Sequence, residues 1–219
     1  MSPSTHTLRP VHRSDHPALG DLLYTSKLGL AINRVLFEGW PNEAIQRSNY
    51  LSALEALDRE EFSESLTVLD NQTKEVIGHL ALTRRRPLPD PETEGKHPTT
   101  PSTPPIPDFF NPEVFAAVVT AVDELSQDLK TIDHYEVTYI VVNPAYRNRG
   151  IGEELMQYVM GKAKTAGVPV AVGAEPQVYS FFIKHGFEER GHVDFDLAKW
   201  APPYSGFGVF RLTGMIWYP

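Results

Sequence analysis

Apolar and polar positions follow two periods along the chain, one near two residues and one near 3.6, and their alternation predicts interleaved strands and helices. The run Thr7-Leu8-Arg9-Pro10-Val11 reads as a short first strand. Ser14 or Asp15 then caps a helix carrying Leu19, Leu22, Leu23 and Leu28. A second helix is expected over about 42–58, with Leu51, Leu54 and Leu57 along one stripe. Residues 65–69 and 75–83 read as a hairpin joined by the turn Asp70-Asn71-Gln72-Thr73, and Gly78 marks a bulge.

The pattern breaks after Arg84-Arg85-Arg86. Nine of the nineteen prolines fall between Pro87 and Pro112, and a run so poor in backbone donors predicts an extended, partly mobile loop. The arginine triplet reads as a solvated strand end, with phosphate contact as the alternative. Asn111-Pro112 restarts order as an N-cap followed by a first-turn proline, opening a helix to about Lys130 on Val114, Phe115, Val118, Val122 and Leu125. Residues 134–142 form the strongest predicted strand, ended by Asn143-Pro144. A helix over about 150–164 follows, with a stripe of Ile151, Leu155, Tyr158, Val159 and Ala163, closed by Ala166-Gly167. Then come a buried strand at 168–172, a short helix at 176–185 ended by Gly186-Phe187, and two strands near 191–196 and 208–217.

Composition changes this picture only by exclusion. With 219 residues the chain can bury a core without staples, and the absence of cysteine removes thiol nucleophiles, Cys-ligated zinc and disulfides. A formal net charge of −8 argues against nucleic acid as a partner and suits solubility, or attraction of a cationic substrate. The N-terminal residues lack a signal-peptide pattern, and no stretch is long and apolar enough for a membrane span. The expectation is a cytoplasmic protein without a membrane partner. His12 and His16 have i,i+4 spacing without a third ligand, so no metal is expected, and no Gly-x-Ser-x-Gly elbow is present.

The chemistry concentrates in Arg147-Asn148-Arg149-Gly150-Ile151-Gly152, between a strand and a helix start. A helix N-terminus offers unpaired N–H groups and the positive end of its dipole. Gly150 and Gly152 let a phosphate approach the main chain, and Arg147 and Arg149 add charge at the rim. A dinucleotide fingerprint needs a third glycine where Leu155 stands. A Walker A loop needs lysine and a hydroxyl where Glu153 and Glu154 stand.

These residues resemble the GNAT family of acetyl-CoA-dependent N-acetyltransferases. The family signature, Arg/Gln-x-x-Gly-x-Gly/Ala after a strand ending in Val-x-Pro, has its counterpart in 147–152 and in Val142-Asn143-Pro144, and the trailing Gly-Phe in Gly186-Phe187. The resemblance implies an α/β GNAT fold, with a mixed central sheet of about six to seven strands flanked by helices and splayed at the coenzyme A site. It implies one N-acetyltransferase domain over 1–219, with a proline-rich insertion plus helix at about 84–131. It also implies acetyl-CoA as co-substrate, Ile140, Val141 and Val142 along the pantetheine arm, and main-chain N–H groups of Asn148, Arg149, Gly150, Ile151, Gly152 and Glu153 on the pyrophosphate.

The acceptor is expected to be a primary amine of a small molecule or peptide, and the protein a monomer or homodimer. Glu136, eleven residues before Arg147, matches the offset of the glutamate base in some GNAT histone acetyltransferases; strict alternation puts it on one face with Thr138, Ile140 and Val142. Glu175 is the candidate to hold a cationic amine, or a helix cap. Phe182 occupies the place of the tyrosine that serves many family members as general acid, and Tyr179 is the candidate to replace it. Two rivals follow: a coenzyme A-binding module without turnover, and a transferase of longer acyl groups.

Overall fold

The structure, a computed structural model, describes residues 5–87 and 106–219. Most of the expected proline-rich loop lies outside the described residues. Seven strands form one sheet: β1 (His6–Pro10), β2 (Ser63–Asp70), β3 (Val76–Arg85), β4 (His134–Val142), β5 (Val170–Ala174), β6 (Glu188–Asp196) and β7 (Val209–Trp217). Their order is β1-β2-β3-β4-β5-β7-β6, and β4–β5 is the parallel pair among antiparallel neighbours. The mixed, open sheet matches the fold class expected from sequence.

The helices are α1 (His16–Lys27), α2 (Asn33–Leu36), α3 (Glu43–Arg59), α4 (Pro112–Ser126), α5 (Ile151–Ala166) and α6 (Tyr179–Lys184). On one face α5 buries Ile151, Leu155, Met156, Val159 and Ala163 against Leu80, Leu82, Val137, Val170 and Val172. Burying a side chain of this kind contributes about 1.5–3 kcal/mol. On the other face α1 and α3 pack Leu19, Leu23, Tyr50 and Leu54 onto Tyr139 and Val141. Helix α4 joins that face over β6 and β7, where Leu125 lies 3.4 Å from the place a Cβ would take on Gly214.

Several local expectations change. Leu28 follows the end of α1 and is exposed, as is Val122; the buried stripe of α4 runs through Val114 and Ala121. In α3 the buried positions are Gln46, Tyr50, Leu54 and Leu57, while Leu51 is half-buried. Asn42 caps α3 by accepting from Ile45 N, whereas the Asp15 carboxylate turns away from α1 to accept from Arg9 and from His12 N. The Arg9 guanidinium holds the Asp15 carboxyl below its usual range. The four-residue helix α2 has no counterpart in the sequence reading.

Two bulges shape the sheet. The β2–β3 register skips Ile77, one residue from the expected Gly78. Gly78 serves a different purpose: a Cβ there would lie 3.1 Å from Val68 and 3.3 Å from Ile151, so glycine lets the first residue of α5 seat against the strand. In β4 the pairing passes from Val137 to Tyr139, leaving Thr138 as the extra residue. Alternation reverses across that bulge. Tyr135, Val137, Ile140 and Val142 pack on the α5 side, while Tyr139 and Val141 pack on the α1–α3 side. Glu136 therefore does not share a face with Ile140 and Val142, contrary to the strict alternation used above.

One buried titratable group ties stability to pH. His79 on β3 is 0% exposed, its Nδ1 hydrogen-bonds Leu66 O at 3.0 Å, and its Nε2 has no partner. Burial pushes its pKa down to about 4. Between pH 6.5 and 4 the unfolded chain binds a proton that the folded one refuses, so the contribution is whole above 6.5 and lost as pH falls toward 4. The shift corresponds to roughly 3 kcal/mol. Denaturant unfolding across this range should show a steeper loss in the wild type than in His79→Leu; parallel curves would contradict the assignment.

Candidate active site

Strands β4 and β5 pair over only three positions, Tyr135↔Val170, Glu136↔Ala171 and Val137↔Val172. Beyond them β4 continues to Val142 and β5 to Ala174, so the strands part and the β5-facing main-chain edge of β4 loses its strand partner. The bulge at Thr138 sits where the separation begins. A cleft of about 720 Å³ opens there. Its walls are Ile140, Val141 and Val142 on β4, Arg147, Asn148, Gly150, Ile151, Gly152 and Glu153 at the head of α5, and Phe181, Lys184 and His185 around α6.

The loop before α5 is built for main-chain presentation. Asn143 accepts from Ala145 N at 3.0 Å and starts a 3-10 turn over Pro144–Tyr146. Asn148 (φ 59°) and Gly150 (φ 82°) are left-handed, a conformation open to glycine and tolerated by asparagine. The first bond of the helix runs from Glu154 N to Gly150 O at 2.9 Å, so the N–H groups of Ile151, Gly152 and Glu153 precede it without an intrahelical acceptor. A Cβ on Gly152 would stand 3.4 Å from the Phe181 ring, narrowing the cleft at that point.

Positive charge comes from Arg147 and Lys184, which line the cleft. The Arg149 side chain does not: it lies over the Tyr146 ring at 4.8 Å and donates to Ala145 O. His185 hydrogen-bonds Phe181 O through Nδ1 at 2.7 Å and the Glu153 carboxylate through Nε2 at 2.9 Å. The imidazole, with Gln157 behind it, holds the Glu153 carboxyl below its usual range.

At the inner end of the cleft, one residue beyond β5, stands Glu175. It accepts from Lys27, the last residue of α1, and from Gln177 Nε2 at 3.1 Å. The two charged side chains are each 20% exposed. Tyr139 and Tyr50 lie nearby; burial raises both hydroxyl pKa values, with the negative charge of Glu175 as a further cause.

The other candidates are placed elsewhere. Glu136 is outside the cleft lining and accepts from Arg85 at 2.6 Å; Arg85 also pairs with Glu60. Arg84 and Arg86 both bind Asp133, so the arginine triplet is committed to carboxylates. The Tyr179 hydroxyl donates to Glu189 on β6 at 3.1 Å and is likewise outside the lining. Phe182 is 1% exposed in the α5-side core, and its neighbour Phe181 is the aromatic that faces the cleft. Among aromatic residues near the C-terminus, Trp217 is core, Trp200 and Phe207 are half-buried, and Tyr204 is exposed. Lys27 and Lys184 were not singled out from sequence. A periodic reading of α1 weighs only its apolar positions, and the partner of Lys27 is 148 residues away. Among the described residues no cluster of three or more His, Cys, Asp or Glu could hold a metal, and no helix is long and apolar enough to cross a membrane.

Comparison with known proteins gives similarities of sequence and of fold. Residues 113–189 match the acetyltransferase (GNAT) domain model. A curated relative, the mycothiol acetyltransferase of Amycolatopsis mediterranei (strain U-32), is 32% identical over 84 residues, which cover 36% of this chain. The match spans only 28% of the length of that relative. Among solved structures, arylalkylamine N-acetyltransferase 2 from Aedes aegypti superposes with a TM-score of 0.63 at 13% identity, covering 98% of this chain and 99% of that one. A GNAT superfamily phosphinothricin acetyltransferase from Sinorhizobium meliloti, in complex with AcCoA, gives 0.53 at 16% identity, covering 98% and 89%. At these identities the structural likeness is one of fold.

Proposed function

We propose that the chain is a GNAT-family acetyltransferase that transfers an acetyl group from acetyl-coenzyme A to a primary amine held in the cleft beside Glu175. The observation that carries this reading is a juxtaposition. Main-chain N–H groups at the head of α5 without an intrahelical acceptor, and an edge of β4 without a strand partner, line one cleft with the Lys27–Glu175 ion pair.

In this reading the N–H groups from Asn148 to Glu153 receive the pyrophosphate, with Arg147 and Lys184 balancing its charge. Ile140, Val141 and Val142 offer their main chain to the pantetheine arm. The residues present fit such a ligand: two left-handed positions turn the loop around the donors, and no β-carbon projects from Gly150 or Gly152.

Glu175 is the proposed base and amine anchor. An amine arrives as an ammonium and must lose a proton before its nitrogen attacks. Glu175 takes that proton and passes it to solvent; the N–C bond then forms, the thioester C–S bond breaks, and the second proton, lost by the nitrogen once it is bonded to the acyl carbon, neutralises the departing thiolate. Glu136 and Tyr179 carry no step here, because neither reaches the cleft. The acetyltransferase unit is proposed to extend over residues 1–219, with α4 belonging to the segment inserted between β3 and β4.

The test is thiol release from acetyl-CoA in the presence of a panel of primary amines, with the acetylated amine identified by mass. Stoichiometric thiol and amide support the proposal. Tight coenzyme A binding without turnover of any amine would favour a binding module; faster turnover of longer acyl-CoA would change the donor. Phe182 does not favour the first rival, since its ring packs in the core and its missing hydroxyl is not missing from the cleft.

A further inference from the structure

The Lys27–Glu175 pair defines the acceptor more narrowly. We infer that the acceptor is an α-amino carboxylate, its ammonium taken by Glu175 and its carboxylate by Lys27. This rests on the acetyl-transfer reading of the same cleft.

Lys27 is held in place by its main chain. Its carbonyl accepts from Leu30 N at 3.1 Å and from Asn33 Nδ2 at 3.2 Å, and Asn33 is buried and also donates toward the Tyr50 hydroxyl at 3.4 Å. The end of α1 is thus fixed, and its last side chain lies along the cleft wall with its ammonium on Glu175. Gln177 fixes the other carboxylate oxygen. The cleft therefore ends in one cation and one anion in direct contact, each largely removed from solvent.

An incoming ammonium that takes Glu175 displaces Lys27. If the acceptor is a plain amine, the lysine charge is left without its partner in a half-buried place, which is costly. If the acceptor carries a carboxylate beside its amine, the two ion pairs are exchanged for two others and no charge is orphaned. A carboxylate on the carbon that bears the nitrogen matches the contact between Lys27 and Glu175, which sets the two recognition groups side by side. Discrimination then comes from the unpaired charge left by the wrong ligand.

The experiment pairs amino acids with the amines obtained by removing their carboxylate: tryptophan with tryptamine, phenylalanine with phenethylamine, glutamate with 4-aminobutyrate, and so on through the common side chains. Acetylation is followed by thiol release with the full chain. For the side chain the enzyme accepts, kcat/KM should favour the amino acid by about 100-fold. Lys27→Met should erase most of that ratio, while Lys27→Arg should keep it, and both should retain acetyl-CoA binding. A plain amine used as well as its amino acid, or a ratio unchanged in Lys27→Met, would overturn the inference and leave acetyl transfer intact. Absence of turnover with both members of every pair would overturn both.

Discussion

Gly150→Glu should cost at least about 100-fold in acetyl-CoA affinity, equivalent to roughly 3 kcal/mol. Two effects add. The residue is left-handed at φ 82°, which costs an L side chain about 1–2 kcal/mol. A carboxylate would also stand beside the N–H groups proposed to receive a pyrophosphate, opposing the charge they attract. No atom lies within 4 Å of the Cβ that would be added, so the side chain projects into open space and the fold should survive. Gly150→Ala is the control, carrying the backbone strain without the charge and losing far less affinity. Calorimetric titration with thermal unfolding alongside separates binding from stability. Wild-type affinity in a folded Gly150→Glu protein would sink the phosphate-loop assignment.

Glu175→Gln should lower kcat/KM for the amine by about 10²–10³-fold, within the usual range for loss of a general base. The amide keeps the shape and can still accept from Lys27, so acetyl-CoA affinity should be unchanged and the loss should fall on kcat and on the amine. Steady-state kinetics with each substrate varied in turn reads this split. Full activity in Glu175→Gln would remove it as base. Glu136→Gln makes a useful contrast: its ion pair with Arg85 lies off the cleft, so little change in rate is expected.

The sequence carried the fold well wherever one periodicity governed one element. The stripe of α5 was read almost residue by residue, since a helix lying on a sheet buries one face and nothing else competes. The phosphate loop was legible for a related reason: a left-handed turn before a helix has few solutions, and Gly150 is one of them. The active-site acids were less legible because each depended on a departure from regularity. Alternation assigned Glu136 to the cleft side, but one extra residue at Thr138 reverses the parity of β4. Helical spacing puts Tyr179 on the face of Phe182 as its replacement, yet α6 begins only at Tyr179, and Glu189 on β6 captures its hydroxyl. Val122 was placed in the stripe of α4 by its apolar character, although Ala121 faces inward. Lys27 gave no local signal, since its meaning comes from a glutamate at the far end of another strand.

The most direct test of the central claim is a crystal structure of the protein with acetyl-CoA. The pyrophosphate should lie on the N–H groups of residues 148–153, the pantetheine along the β5-facing edge of β4, and the thioester near Glu175. Density for the ligand in the smaller depression beside Arg9, Asp15 and Lys74, with the β4–β5 cleft empty, would overturn that placement.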